Sequence, residues 1–300
     1  MTNPFKPLVH ALTSDGGRPL LDELGDFASA EMWGSARLNA AHPLALFLRP
    51  WFPCVAVVLY LLSEGAFDGL RRGLKVRRDG VLFKLFILLH NFALAAFSLW
   101  VAVYTWPILF RHLSAPGGFK TLHCDRAVWS DEEHGIATWA VIFYVSKFYE
   151  FIDTWVLVLK NSDGKHAPSF LQKFHHFGIA IAMYCAVATE SNWVIWCLCL
   201  NATIHTMMYT YYFFATLGYR SPLAKVLTNL QMLQFLTGIV MSSCIYVYAD
   251  CASATPASKA SLLYIQVYAA YLIHLFREMA KKKYAAKKKQ KEEAKAEKKA

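Results

Sequence analysis

Charge is scarce in this sequence. Asp, Glu, Lys and Arg together make up 17% of it, against about 25% in an average soluble chain. There is no glycine-rich phosphate loop, no pair of cysteines at zinc-ligand spacing and no internal repeat. Those absences exclude a phosphate-loop nucleotide hydrolase, a zinc-built module and a solenoid. Residues 1–40 lack the charged, apolar and small-residue order of a cleaved signal peptide, and read as a mixed or surface-lying segment. A basic folded face is missing too. The formal charge is +10, but residues 281–300 alone hold ten lysines and three glutamates. A nucleic-acid binder would spread its basic residues over a folded surface, so nucleic acid is not expected as a partner. The tail reads as a juxtamembrane segment drawn to anionic lipid, or simply as a solubilising end.

What the chain does have is apolar surface. Apolar residues make up 56% of its 300 residues and aromatics 15%, and that surplus needs a nonpolar solvent. A membrane-spanning helix takes about 20 apolar residues. Candidates are Trp51–Phe67, Leu82–Leu109, Ala137–Leu159, Ser169–Thr189, Asn192–Leu217, Ala224–Tyr248 and Ser261–Ala280. The expected fold is therefore all-α: a polytopic membrane protein with seven transmembrane helices. It divides into an N-terminal lumenal segment (1–50), a seven-helix domain (51–280) and a lysine-rich tail (281–300).

Lys and Arg in short loops set the orientation. The first loop has Arg71, Arg72, Lys75, Arg77 and Arg78, the third Lys160 and Lys165, the fifth Arg220 and Lys225. The second has Arg111, Lys120 and Arg126, the fourth none and the sixth only Lys259. The odd loops and the C-terminus are thus expected in the cytosol, with the N-terminus across the membrane.

Orientation gives each polar side chain a depth. Gln172, His175 and His176 share one helical face, roughly 5–10 Å inside the cytosolic boundary. Lys147, Glu150, Asp153 and Thr154 fall in the cytosolic half of the third span, and Asn201, His205, Tyr209, Tyr211 and Tyr212 in that of the fifth. Thr228, Gln231 and Gln234 come from the sixth, His90 and Asn91 from the second, Tyr271 and His274 from the seventh. The far halves, such as "GIAIAMYCAVA" and "LTGIVMSSCIYVY", are nearly apolar. A charge at the centre of a spanning helix costs about 2.5–3.5 kcal/mol on insertion scales. A lone Asn or Gln would be explained by a helix–helix hydrogen bond. A layer drawn from six helices predicts instead a polar cavity open to the cytosol and continuing into an apolar pocket. That shape suits an amphiphile with a large head and a long chain.

Histidines at this spacing could bind metal. The di-iron desaturase or hydroxylase type is the nearest membrane precedent, but it uses several histidine boxes. Here the spans hold His90, His175, His176, His205 and His274, with Gln172 in the first place of the one box. No metal is expected. Imidazole can then act as base or nucleophile, and is mostly neutral at cytosolic pH. Cysteine nucleophiles are poorly placed, since Cys185 lies about 15 Å along the helix from His175, and Cys197 and Cys199 precede His205 on the far side of the polar layer.

"KFYEFIDT" (Lys147–Thr154), "QKFHH" (Gln172–His176), "NATIHTMMYTYY" (Asn201–Tyr212) and "TNLQMLQ" (Thr228–Gln234) occur in that order. Together they resemble the motif series of the ELO family of fatty acid elongases, over about residues 45 to 280. The resemblance implies a multi-pass 3-ketoacyl-CoA synthase of the endoplasmic reticulum membrane, with six of seven helices enclosing a substrate tunnel. It implies long-chain acyl-CoA and malonyl-CoA as substrates, no bound cofactor, and a ketoacyl reductase, a dehydratase and an enoyl reductase as partner enzymes. A homodimer is allowed for. Gln172 stands where the family usually has the first histidine of HxxHH, so that position cannot transfer a proton here. The QxxHH variant is similar to microbial elongases of polyunsaturated chains, the delta-9 type among them.

On this reading His175 attacks the acyl-CoA thioester to give an acyl-imidazole, and His205 assists; which of the two is the primary nucleophile is left open. Asn201, Gln172, Gln231, Tyr209 and His176 are candidate donors to enolate and tetrahedral charge. Lys147 would steer the malonyl carboxylate or a CoA phosphate, and Glu150 and Asp153 would hold Lys147 and the histidines. Gln234, His90 and His274 complete the expected substrate-binding set.

Of seven cysteines, Cys124 and Cys251 both fall on the far side of the membrane. In an oxidising lumen they could pair, clamping the second loop to the sixth; two free thiols are the alternative. The ending "EKKA" matches a dilysine retrieval signal imperfectly, with Glu297 where a lysine is wanted and Lys298 beside it. A seven-helix receptor or transporter is the remaining alternative. A receptor needs no layer of Lys, Glu, Asp and His, and a transporter more often shows repeats and broken helices.

Overall fold

Long apolar runs rich in Leu, Ala, Phe and Met satisfy their own backbone only as helix. The computed structural model describes residues 44, 46–74, 80–131, 135–161, 167–219, 221, 223–248 and 250–297. Among these, all regular structure is helical. The helices are α1 (Trp51–Gly73), α2 (Val81–Ser114), α3 (Phe119–Cys124), α4 (Ala127–Ser130), α5 (Ala137–Tyr149), α6 (Phe151–Lys160), α7 (Phe170–Ala188), α8 (Val194–Thr216), α9 (Leu223–Ser242) and α10 (Pro256–Glu297). A 3₁₀ turn, Ser243–Tyr246, follows α9. Most of the expected N-terminal segment, together with Lys75, Arg77, Arg78, Lys165, Arg220 and Lys298 of the orientation and retrieval arguments, lies outside the described residues.

Each expected apolar run becomes helix, with one internal division and several shifted ends; α9 stops at Ser242, short of Tyr248, and α2 runs on from Leu109 to Ser114. The third run folds as two pieces divided at Glu150. There the Asp153 N–H donates to the Glu150 carbonyl at 3.0 Å, three residues apart, as in a tightened 3₁₀ turn. The first helix runs on from Phe67 to Gly73. The last continues past residue 280 through the lysine-rich tail to Glu297, 42 residues in all, because Ala, Glu and Lys are strong helix formers. Ser169 starts α7, its Oγ accepting from the Gln172 N–H at 3.2 Å.

The packing closes a ring. Helix α8 lies most extensively along α2 and then against α9; α9 meets α10, α10 meets α7, α7 meets α5, and α5 returns to α2. Helix α1 stands outside, against α6 and α7. Small buried residues such as Ala140, Ala180, Ala182, Ala186 and Ala202 let the axes approach. Outward faces stay apolar, with Leu62, Leu82, Leu89 and Val103 well exposed. Helices α1 and α2 are each long and apolar enough to cross a membrane.

One end of the bundle, hereafter the clamp end, is tied together by polar groups. Cys124 and Cys251 form a disulfide. The Ser253 N–H donates to the Cys124 carbonyl at 3.2 Å and Asn192 Nδ2 to the Asp125 carbonyl at 2.6 Å. Thr189, Ser191, Ser258 and Ser261 exchange hydroxyl hydrogen bonds of 2.7–3.3 Å between the α7–α8 link and the start of α10. The far halves of the spans are nearly apolar in sequence, and these residues stand at or beyond their ends. These short hydroxyl residues carry no periodic signal and only become a set when the two segments meet.

Candidate active site

Lys147 is the most demanding residue in the fold. Its side chain is 1% exposed, and a buried ammonium is tolerable only when paired and hydrogen-bonded. Helical spacing brings Glu150 one turn along, and Nζ donates to its Oε1 at 2.6 Å. Nζ also lies 3.3 Å from Asn201 Oδ1 on α8 and 3.7 Å from the centroid of the Phe143 ring. The carboxylate leads onward, with His205 Nδ1 3.7 Å from Glu150 Oε1.

A second layer holds this pair in place. Asp153, on α6, accepts from His90 Nε2 at 2.8 Å and from the Tyr209 hydroxyl at 2.6 Å. His90 Nδ1 lies 3.4 Å from the Tyr149 hydroxyl. One carboxylate thereby joins α2, α6 and α8. A third contact joins α1, where the Tyr60 and Thr154 hydroxyls meet at 2.7 Å and Tyr60 stacks on Phe151 with centroids 4.1 Å apart. The buried His176 ring packs edge-on against both Tyr60 and Phe151.

His175 sits where these layers meet a cavity between α7, α8, α9 and α10. Its ring centroid is 5.5 Å from that of His176 and 6.3 Å from that of His205. His175, Asn201 and Gln234 are polar lining, Leu200, Phe235 and Ile265 are apolar lining, and Trp193 and Trp196 line it toward the clamp end together with Ser242 and Gln266. From Asn201 to Trp193 along α8 is about 12 Å. Five buried side-chain atoms beside or in this chamber have no protein hydrogen-bond partner: Glu150 Oε2, His176 Nδ1, Trp193 Nε1, His205 Nδ1 and Gln234 Oε1. Groups of this kind are ordinarily satisfied by ordered water or by a bound polar group.

The structure thus gathers Lys147, Glu150, Asn201, His175, His176 and His205, with Asp153, Tyr209 and His90 behind them and Gln234 on the wall. Three expected residues stand elsewhere. His274 is exposed and stacks on Tyr271 at 6.0 Å, because α10 turns Tyr268, Ala269 and Leu272 inward and position 274 falls on the outer face. Gln231 Nε2 lies 3.5 Å from Met208 Sδ and faces α8 rather than the cavity. Gln172 is half-buried one turn before His175, outside the cavity lining. The sequence reading missed Tyr268, Tyr60 and the two tryptophans of the wall. For Tyr268 the available signal was Gly178, three residues after His175, a small residue where another helix could come close.

Glu150, His175 and His205 each offer a ligand atom, all within 4.8 Å of one another. Bonds of about 2.0–2.2 Å to a tetrahedral ion would bring such atoms closer than that. The Lys147 ammonium already engages the carboxylate, and its charge opposes a second cation there. The trio is thus spaced wider than a tetrahedral metal site.

The family model described as "ELO: GNS1/SUR4 family" matches residues 45–292. Fatty acid elongase sre1 of Dictyostelium discoideum is 31% identical over 215 residues, which cover 71% of this chain and 75% of the relative. Fatty acid elongase 3 of Trypanosoma cruzi is 27% identical over 275 residues, covering 79% and 87%. Fatty acid elongase 1 of Trypanosoma brucei brucei is 34% identical over 151 residues, covering 49% and 48%. With the family pattern running through every helix that builds the chamber, the chain belongs to the ELO (GNS1/SUR4) family of membrane proteins.

Proposed function

We propose that the chain is a fatty acid elongase that performs the condensing step, joining acyl-CoA to malonyl-CoA to give 3-ketoacyl-CoA, CO2 and CoA. The observation that carries this reading is the seat of His175: an imidazole on the wall of a largely apolar cavity, backed by a buried Lys–Glu–Asn cluster and a second histidine. An acyl chain lies in the cavity with its thioester at His175. The imidazole takes the acyl group and releases CoA; malonyl-CoA then loses CO2 and its enolate carbon accepts the acyl group. His175 is the primary nucleophile, because it meets the cavity directly, and His205 is placed behind it. Asn201, on the cavity wall, faces the developing oxyanion and enolate charge, with Lys147 and His176 behind it; donors so placed are a usual source of rate enhancement in acyl transfer. Asp153, Tyr209 and His90 keep this machinery in register. No bound cofactor is needed.

The setting we propose is seven spanning helices in the endoplasmic reticulum membrane, with the tail end cytosolic and the clamp end lumenal, where an oxidising compartment suits the Cys124–Cys251 bond. A ketoacyl reductase, a dehydratase and an enoyl reductase would complete the cycle. Gln172 at the head of the box favours polyunsaturated acyl-CoA substrates. Membranes containing the chain, given acyl-CoAs and labelled malonyl-CoA without reductant, should accumulate 3-ketoacyl-CoA two carbons longer. Stoichiometric iron in active protein, with activity lost on chelation, would favour a di-iron hydroxylase instead; no condensation with any acyl-CoA would favour a receptor or transporter.

A further inference from the structure

Tyr268 reaches from α10 into the cavity wall and is 5% exposed. Its hydroxyl donates to the His175 carbonyl oxygen at 2.7 Å and lies 3.3 Å from His175 Nδ1. A phenol has one proton, and a carbonyl oxygen can only accept. The proton is committed to the carbonyl, so the phenolic oxygen meets Nδ1 as an acceptor. That arrangement puts the imidazole hydrogen on Nδ1 and leaves Nε2 with a bare lone pair. Gly178, almost one turn further along α7, makes the approach possible. A Cβ at that position would run into the Tyr268 ring. Its backbone is ordinary helix, so glycine is required here for space rather than for conformational freedom.

We infer that Tyr268, admitted by Gly178, is a positioning residue that fixes His175 as the Nδ1–H tautomer and so makes Nε2 the nucleophilic atom. The consequence for catalysis rests on the acyl-histidine reading above; the geometry does not. The chemistry balances without a general base. The Nε2 lone pair forms a bond to the thioester carbonyl carbon, the C–S bond breaks, and sulfur leaves with the electron pair as CoA thiolate, which takes a proton from solvent. The acyl-imidazolium keeps its Nδ1 hydrogen against the Tyr268 oxygen. Malonyl-CoA loses CO2, the enolate carbon bonds to the acyl carbon, and the C–N electrons return to Nε2, restoring the neutral imidazole in its starting tautomer. Each turnover therefore begins and ends with the same hydrogen-bond pattern around Tyr268.

The test uses full-length protein in lipid nanodiscs with ¹⁵N-labelled histidine, the His175 resonances being assigned by their loss in His175→Ala. Without substrate, His175 should show a protonated Nδ1 and an unprotonated Nε2. Tyr268→Phe and, independently, Gly178→Ala should move both signals toward a tautomer mixture. In single-turnover acylation with acyl-CoA alone, Tyr268→Phe should lower the acylation rate about 10- to 100-fold while leaving KM within about twofold. A wild-type protein with the hydrogen on Nε2, or a Tyr268→Phe protein with unchanged tautomer and rate, overturns the inference. If the wild type shows the Nδ1–H tautomer but acyl-CoA labels no histidine, the acyl-histidine reading fails while the positioning role stands.

Discussion

Lys147 shows how much one buried charge can dictate. Removing one partner of a buried ion pair typically costs about 3–5 kcal/mol, because the other charge is left unpaired. Lys147→Met should therefore lower the thermal midpoint in detergent sharply and abolish condensation. Adding Glu150→Gln to that variant should recover much of the stability and none of the activity, which separates holding the fold from doing chemistry. Equal losses of stability in the single and double variants would contradict the account. At this scale the sequence was a good guide wherever chemistry and helical spacing coincided. Lys147 with Glu150, and His175 with His176, are one turn or less apart, so their proximity follows from the helix alone. The partner of Asp153 did not follow in the same way. His90 is 63 residues away, and only the packing of α2 against the rest brings it in. His274 was read as part of the layer from its depth, but depth along a helix says nothing of phase around it, and its phase points outward. Tyr268 gives no such signal, because one aromatic in an apolar span looks like packing.

The clamp end is the element whose behaviour depends most on conditions. His123, in α3, is fully buried, its Nδ1 2.8 Å from the Phe119 carbonyl and its Nε2 accepting from Trp196 Nε1 at 3.1 Å. Its backbone carbonyl accepts from the Ser253 hydroxyl. Burial pushes this imidazole below its ordinary value. The folded protein then binds a proton less readily than the unfolded chain, whose histidine titrates near 6.5. Stability from this group is full above that value and is lost as pH falls from there toward the depressed folded value. The thermal midpoint should therefore drop between about pH 7 and pH 5, and His123→Gln, which keeps an acceptor for Trp196 but no titrating ring, should drop less. An identical pH dependence in the two proteins would remove His123 from the explanation. The apolar runs announced the long helices, and their ends were nearly right. The division at Glu150 and the unbroken course of α10 were not legible, since one depends on a turn tightened around a buried carboxylate and the other on helix propensity in a stretch that composition alone marks as tail.

For the whole molecule, α2, α5, α7, α10, α9 and α8 pack in a closed order, and within it α7, α8, α9 and α10 line a cavity that has His175, Asn201 and Gln234 on its wall and Trp193 and Trp196 toward the clamp end. The expected tunnel draws on six segments; four of them, α7, α8, α9 and α10, line the cavity, and the polar residues of α7, α8 and α9 on its wall could be named from the sequence because they share one depth. The order of the helices around the ring could not, because it depends on which small residues face each other across α5, α7 and α8. If the tryptophans close the apolar end, Trp196→Ala should shift the product distribution to chains longer by two or more carbons with the initial rate on short acyl-CoA largely kept, as read by chromatography of the 3-ketoacyl products. An unshifted distribution would place the end of the acyl path elsewhere. The most direct test of the central claim is peptide mapping by mass spectrometry after incubation with acyl-CoA alone. The account predicts one acyl group per chain on the peptide containing His175, absent in His175→Ala and discharged by malonyl-CoA; an adduct on a cysteine, or activity that persists in His175→Ala, would contradict it.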